Sequence, residues 1–210
     1  MVKPSLSIFL HHPVASFQCV HALYVILSPL YKVSILSAST IGKPIKSDLV
    51  IFPGGSGDAD IFDDIIGRAG KYRINNYLLR GGRYLGICMG AYWAGSHYFK
   101  LLTGLDEVQY IKRGAEIDRS FSTVASVVWN GHKEEMFFYD GAAFVGSGSR
   151  QVIASYSNGD DMAIIQNRIG LIGCHPESQL DWYSAPQRKY WHSGRHHILL
   201  RNMITDLLAT

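Results

Sequence analysis

Cys88 stands between two glycines in "YLGICMGAYWAG", residues 84–95, a setting suited to a nucleophile. The short apolar run Tyr84, Leu85, Gly86, Ile87 leads into it, and the helix-forming Ala91, Tyr92, Trp93 and Ala94 follow. Glycines at 86 and 90 let a strand reverse sharply into a helix, where larger side chains would collide. Such a turn lifts the central thiol out of the sheet and sets it near a helix N-terminus. There the helix dipole and free backbone N–H groups favour thiolate over thiol. The same pattern also suits a small cysteine buried beside a tight turn.

A reactive thiol needs a base to take its proton and a group to orient that base. "LIGCHPESQLDWY" offers His175 directly after a strand-like run and Glu177 two residues later, with Pro176 stiffening the link. A carboxylate near Nδ1 would hold the tautomer that leaves Nε2 facing the thiol. The alternative is a strand-capping histidine and a solvated glutamate. Negative charge developing on a carbonyl oxygen needs donors, and "PGGSGDAD" (53–60) places the N–H groups of Gly54 and Gly55 ahead of a helix. The N–H of Met89, one residue past the thiol, is the usual second donor at a strand-turn-helix nucleophile. One such donor is worth about 3 kcal/mol in a tetrahedral transition state.

The elements that must position these groups alternate along the first hundred residues. Strand signals lie at 5–10, 32–38, 48–55 and 83–88; helix signals lie at 17–30, 58–67 and 72–82. This alternation predicts a parallel sheet with helices on both faces and a site beyond the C-terminal strand ends. His11 and His12, Gly54 and Gly55, and Cys88 all fall at such ends. His11 and His12 are therefore candidate substrate contacts, with Tyr92 at the pocket wall. Asn130 and Gly131, in "WNG", either line the pocket or form a turn. The second half is β-rich, with segments at 122–131, 134–144 and 150–157, a hairpin over 162–175 turning at Asn167-Arg168, and an amphipathic helix over 196–208. One domain over 1–210 is expected.

Composition narrows the function classes. Hydrophobic residues make up 47% and charged ones 18%, which describes a globular chain. The net charge of +3 is spread along the sequence, so no nucleic-acid partner is expected. No apolar run approaches the ~18 residues of a membrane span. Three cysteines, Cys19, Cys88 and Cys174, lack metal-ligand spacing and are odd in number; no disulfide framework, metal or cofactor is expected, and a cytoplasmic location fits. His192, His196 and His197 read as the surface and edge of a helix, and Cys174 as core. Asp58, Asp60, Asp63 and Asp64 suit a helix start better than a calcium site.

In order along the chain, "FPGGSGDAD", "GICMGAYWAG" and "CHPE" resemble the class I glutamine amidotransferase-like superfamily. The closer resemblance is to the biotin-protein ligase N-terminal domain-like family, through "FPGG", "YLGIC-x-GAY" and "WNG". It covers residues 6 to 177. It implies a flavodoxin-like three-layer sandwich with a mostly parallel central sheet, Cys88 as nucleophile, His175 as base, Glu177 as orienter, and Gly54, Gly55 and Met89 as oxyanion donors. Two departures bear on function. Tyr92 stands where working glutaminases of the superfamily carry glutamine, and no "GRGR"-type loop of the ligase half is present. The expected function is a cysteine-dependent hydrolase or amidotransferase acting on a carboxamide or similar C–N bond. The alternative is an inactive ligand-binding or regulatory module on the same fold. Expected partners are a small-molecule substrate or ligand and, for a transferase, a separate acceptor or synthetase protein.

Overall fold

The structure, a computed structural model, describes residues 3–210. Strands β1 (Ser5–Leu10), β2 (Lys32–Ser37), β3 (Leu49–Phe52), β4 (Arg83–Ile87) and β11 (Ile169–Ile172) form a parallel array in the order β2-β1-β3-β4-β11. This is the doubly wound order of flavodoxin-like sheets. Beyond β11 the sheet becomes antiparallel through β10 (Asp161–Gln166), β9 (Gln151–Tyr156), β6 (Thr123–Trp129) and β7 (His132–Phe138). A branch of β8 (Ala142–Gly146) and β5 (Leu105–Gln109) leaves β10. The parallel order is therefore confined to five strands, and the second half is β-rich as its sequence predicts.

Alternation along the central strands builds two cores. Leu6, Ile8, Leu49, Ile51, Leu85 and Ile87 face one side, where helices α1 (Phe17–Leu27) and α5 (Arg195–Ala209) cover them with Val20, Leu23, Met203 and Leu207. Phe9, Val50, Phe52 and Tyr84 face the other side. There they meet Phe62 of α2 (Phe62–Ile65), Ile74 and Tyr77 of α3 (Gly67–Leu79), and Ala91 of α4 (Met89–Tyr92). Phe9 stacks on Phe52 and Phe52 on Tyr84, with centroids 4.7 and 5.2 Å apart, so aromatic rings tie three adjacent strands together.

Several boundaries differ from the sequence reading. Residues 134–144 are two strands, because Asp140 at φ 44° breaks the run and β8 turns away to pair with β5. β5 itself was unread. Its residues Leu105, Asp106, Glu107, Val108 and Gln109 carry three polar groups and give little strand signal. The helix expected at 72–82 begins at Gly67, whose φ of 59° separates it from α2. Among the described residues, no helix is long and apolar enough to cross a membrane.

Candidate active site

The thiol and the imidazole come from the ends of neighbouring parallel strands. Ile87 of β4 pairs with Ile172 of β11, and the Cys88 N–H donates to the Ile172 carbonyl at 2.9 Å. Cys88 has φ 50° and ψ −107°, a left-handed conformation that an L-residue adopts at a cost of about 1–3 kcal/mol. The flanking glycines make the turn feasible. A side chain at Gly90 would collide with the Phe52 carbonyl, and one at Gly86 with the Gly90 carbonyl, so α4 rests directly on β3 and β4. Buried Tyr84 fastens this packing by donating to the Gly90 carbonyl at 2.6 Å.

Cys88 is buried and its thiol donates to the Tyr139 carbonyl at 3.3 Å. His175 is also buried, its backbone N–H donating to Phe137 O at 2.9 Å. Its Nδ1 lies 2.9 Å from Glu177 Oε1, and Glu177 is fully buried. His175 Nε2 and Glu177 Oε2 have no hydrogen-bond partner among the described residues. Burial disfavours the charged imidazole, but Cys88, when ionised, and the Glu177 carboxylate outweigh it and hold the histidine pKa well above its usual range. The segment carrying Glu177 is held from α5 by His197, whose Nε2 lies 2.9 Å from Ser178 O, and from within by Gln179 Nε2, which donates to Glu177 O at 3.0 Å.

The "PGG" loop closes over this pair. A Cβ on Gly54 would collide with His175 Cε1 and come to 3.1 Å from Cys88 Cβ, so Gly54 touches both residues. A Cβ on Gly55 would strike the Pro13 and Val14 backbone, and Ser56 N–H donates to Pro13 O at 3.0 Å. The amides of Gly54, Gly55 and Met89 donate to no group among the described residues.

Two clefts open from the pair. One, of about 590 Å³, is lined by Cys88, Met89, Tyr92, Gln109, Lys112 and Asp140, among others. Tyr92 donates to the Asp140 carbonyl at 3.1 Å, and Gln109 Nε2 donates to both Asp140 carboxylate oxygens at 2.7 and 2.8 Å. The other, of about 510 Å³, is lined by His175, His12, Phe17, Cys19, Phe137 and Trp182, among others. Gly55, Ser56 and Tyr139 belong to both.

His12 lines the second cleft and stacks on Phe17, centroids 5.3 Å apart, whereas His11 pairs with Ala15 and lines neither cleft. Asn130 and Gly131 are exposed, with φ of 47° and 83°, in the two-residue turn joining β6 to β7. The other end of that hairpin pairs Phe138 with Thr123, six residue pairs away, and neither Asn130 nor Gly131 lines either cleft. His196 is buried, contrary to a surface reading, with Nε2 3.1 Å from Glu134 Oε2. Burial and neighbouring cations push the pKa of His192 and His196 down to about 3.

Cys19 was not read as a site residue. It sits one turn into α1, a helix that starts at the C-terminal edge of the sheet, and this placement carries it to His175. Its sulfur, a His175 nitrogen and a Glu177 oxygen lie within 4.8 Å of one another, a grouping invisible in the sequence spacing. Burial raises its thiol pKa although the histidine opposes this. Tyr139, Gln109, Asp140 and Lys112 were also missed, because they come from the β7–β8 connection, the end of β5 and the short helical turn after it.

The mixed α/β architecture, with its large and partly parallel sheet, is similar to the fold of glutamine amidotransferases. Over its full length the chain matches the structure of a glutamine amidotransferase from Thermotoga maritima, with a TM-score of 0.71 at 12% identity and complete coverage of both chains. The family model "Biotin-protein ligase, N terminal" matches residues 12–111. The biotin–protein ligase of Schizosaccharomyces pombe is 36% identical over 73 residues, 32% of this chain and 11% of that protein. An uncharacterized protein of Chlamydia muridarum is 42% identical over 53 residues, 25% of this chain and 19% of that protein. The chain thus spans less than a fifth of the curated relatives it matches, and it resembles the N-terminal region of biotin–protein ligases on an amidotransferase fold.

Proposed function

We propose that this chain is a cysteine-dependent amidohydrolase or amidotransferase-like protein acting on a carboxamide or similar C–N bond. The observation that carries this reading is the pairing of Cys88, held at φ 50°, with an imidazole whose Nδ1 is tied to a buried carboxylate. Cys88 would attack the carbonyl carbon, with its proton passing to His175. Glu177 would hold the imidazole orientation and stabilise its charged form. The amides of Gly54, Gly55 and Met89 would receive the oxyanion. His175 would then protonate the departing amine, and water or a partner's acceptor would release the acyl group from sulfur.

The test is turnover of a panel of primary and N-substituted amides, followed as released ammonia or amine. Cys88→Ala should abolish it, and turnover unchanged in that variant would overturn the reading. Tyr92, where superfamily glutaminases carry glutamine, argues for a panel extending well beyond glutamine.

One observation favours the second reading, a ligand-binding or regulatory module. The Cys88 thiol donates to Tyr139 O and makes no hydrogen bond to His175, as a resting thiol would. On that reading a ligand binds Cys88→Ala as well as the wild type, and no amide is turned over by either.

A further inference from the structure

The two clefts differ in chemistry, and each holds one member of the reactive pair. Cys88 lines the first cleft and His175 does not; His175 lines the second and Cys88 does not. Around Cys88 the walls offer an amide, an ammonium and a carboxylate, from Gln109, Lys112 and Asp140. Around His175 the walls are rings. Phe137 and Trp182 meet edge to face at 5.5 Å, and Trp182 stands edge to face with the His175 imidazole at 5.8 Å. Phe17, which lines this cleft, is 62% exposed and stacked on His12. An aromatic side chain left open beside a buried imidazole has the form of a wall awaiting a flat ligand.

This arrangement assigns the halves of a substrate, resting on the reading of Cys88 as nucleophile and His175 as its acid–base partner. The acyl carbon must reach sulfur, so the acyl half lies in the cleft of Cys88. The departing nitrogen must reach the histidine proton, so the amine half lies in the cleft of His175. We propose that the substrate is an N-aryl or N-heteroaryl amide, with a hydrogen-bonding acyl half between Gln109, Lys112 and Asp140 and a planar amine half between Phe17 and Trp182. The C–S bond forms as thiolate adds to the carbonyl. The C–N bond breaks as the imidazolium gives its Nε2 proton to nitrogen, and the aromatic amine leaves through the ring-lined cleft. Water then adds to the thioester, the C–S bond breaks, and the carboxylic acid departs from the polar cleft.

The test uses two electrophiles that Cys88 alkylates by displacing chloride, chloroacetamide and N-phenylchloroacetamide, with the Cys88 adduct read by mass spectrometry. The rate ratio of phenyl to parent compound is divided by the same ratio for free cysteine. Partial burial of one ring should raise this quotient about tenfold. Phe17→Ala, at an exposed position that the core does not need, should bring it most of the way back to one. A wild-type quotient near one, or one unchanged in Phe17→Ala, overturns the substrate assignment while leaving the amidohydrolase reading intact. If Cys88 reacts with both compounds no faster than free cysteine does, the reading of the reactive pair fails, and the assignment falls with it.

Discussion

Gly54 lies directly against the His175 imidazole, with no room for a methyl group between them. The same α-carbon borders Cys88, so the loop that carries the candidate oxyanion donors also sets the spacing of thiol and base. Gly54→Ala should push the imidazole off Glu177 and slow Cys88 alkylation at neutral pH by about tenfold or more. Overpacking of this kind costs about 1–3 kcal/mol, so the variant should remain folded by circular dichroism. Wild-type reactivity in that variant would show that His175 does not govern the thiol.

Gly90 answers to a different neighbour. A side chain there meets the Phe52 carbonyl, which is backbone of a buried strand and cannot yield as a ring can. Gly90→Ala should therefore lower stability by about 3 kcal/mol or more, a loss that denaturant unfolding would register.

Glu177→Gln tests the orienting carboxylate. The substitution keeps shape but removes the charge that helps hold the His175 pKa up. Turnover of any amide substrate should fall by about 100-fold or more, since a positioned acid–base group contributes on that scale. An unchanged rate would make Glu177 a structural residue only.

Glu107 provides a pH signature. Burial, and then the neighbouring Asp106 carboxylate, push its carboxyl pKa from 4.5 up to about 8. The folded state therefore keeps a proton that the unfolded chain loses, and stability should decline as pH rises from about 4.5 to about 8. Glu107→Gln should flatten the thermal midpoint over that window. An equal decline in both proteins would place the titration elsewhere.

Gly131→Ala separates turn from site. At φ 83° the alanine is strained and should cost about 1 kcal/mol, yet Cys88 alkylation should be unaffected because the β6–β7 turn lies at the far end of the hairpin. A changed alkylation rate would give Asn130 and Gly131 a role at the pocket.

The parallel half of the sheet was legible because buried strands such as "LVIF" and "RYLGI" read as apolar runs bounded by glycine and proline. The rule for strand ends grouped His11, His12, Gly54, Gly55 and Cys88, whereas His175 was legible through its place after a strand-like run and two residues before Glu177. What stayed hidden depended on tertiary packing. Asp140 splits one apolar run into two strands through a backbone conformation that "YDG" only hints at. Phe17, Trp182 and Cys19 reach the site from α1 and from the segment after β11, and no local period marks them as neighbours. His196 lies on a helix face that Glu134 of β7 and the His192 ring meet, two neighbours that no local spacing announces.

The most direct measurement is the rate of Cys88 alkylation by iodoacetamide at neutral pH, in the wild type and in His175→Ala, with adducts assigned by peptide mass spectrometry to keep Cys19 and Cys174 apart. An activated pair predicts a wild-type rate well above that of His175→Ala, with the variant reacting no faster than an ordinary thiol. Equal rates in the two proteins would contradict the account and leave a fold that holds its ligand without attacking it.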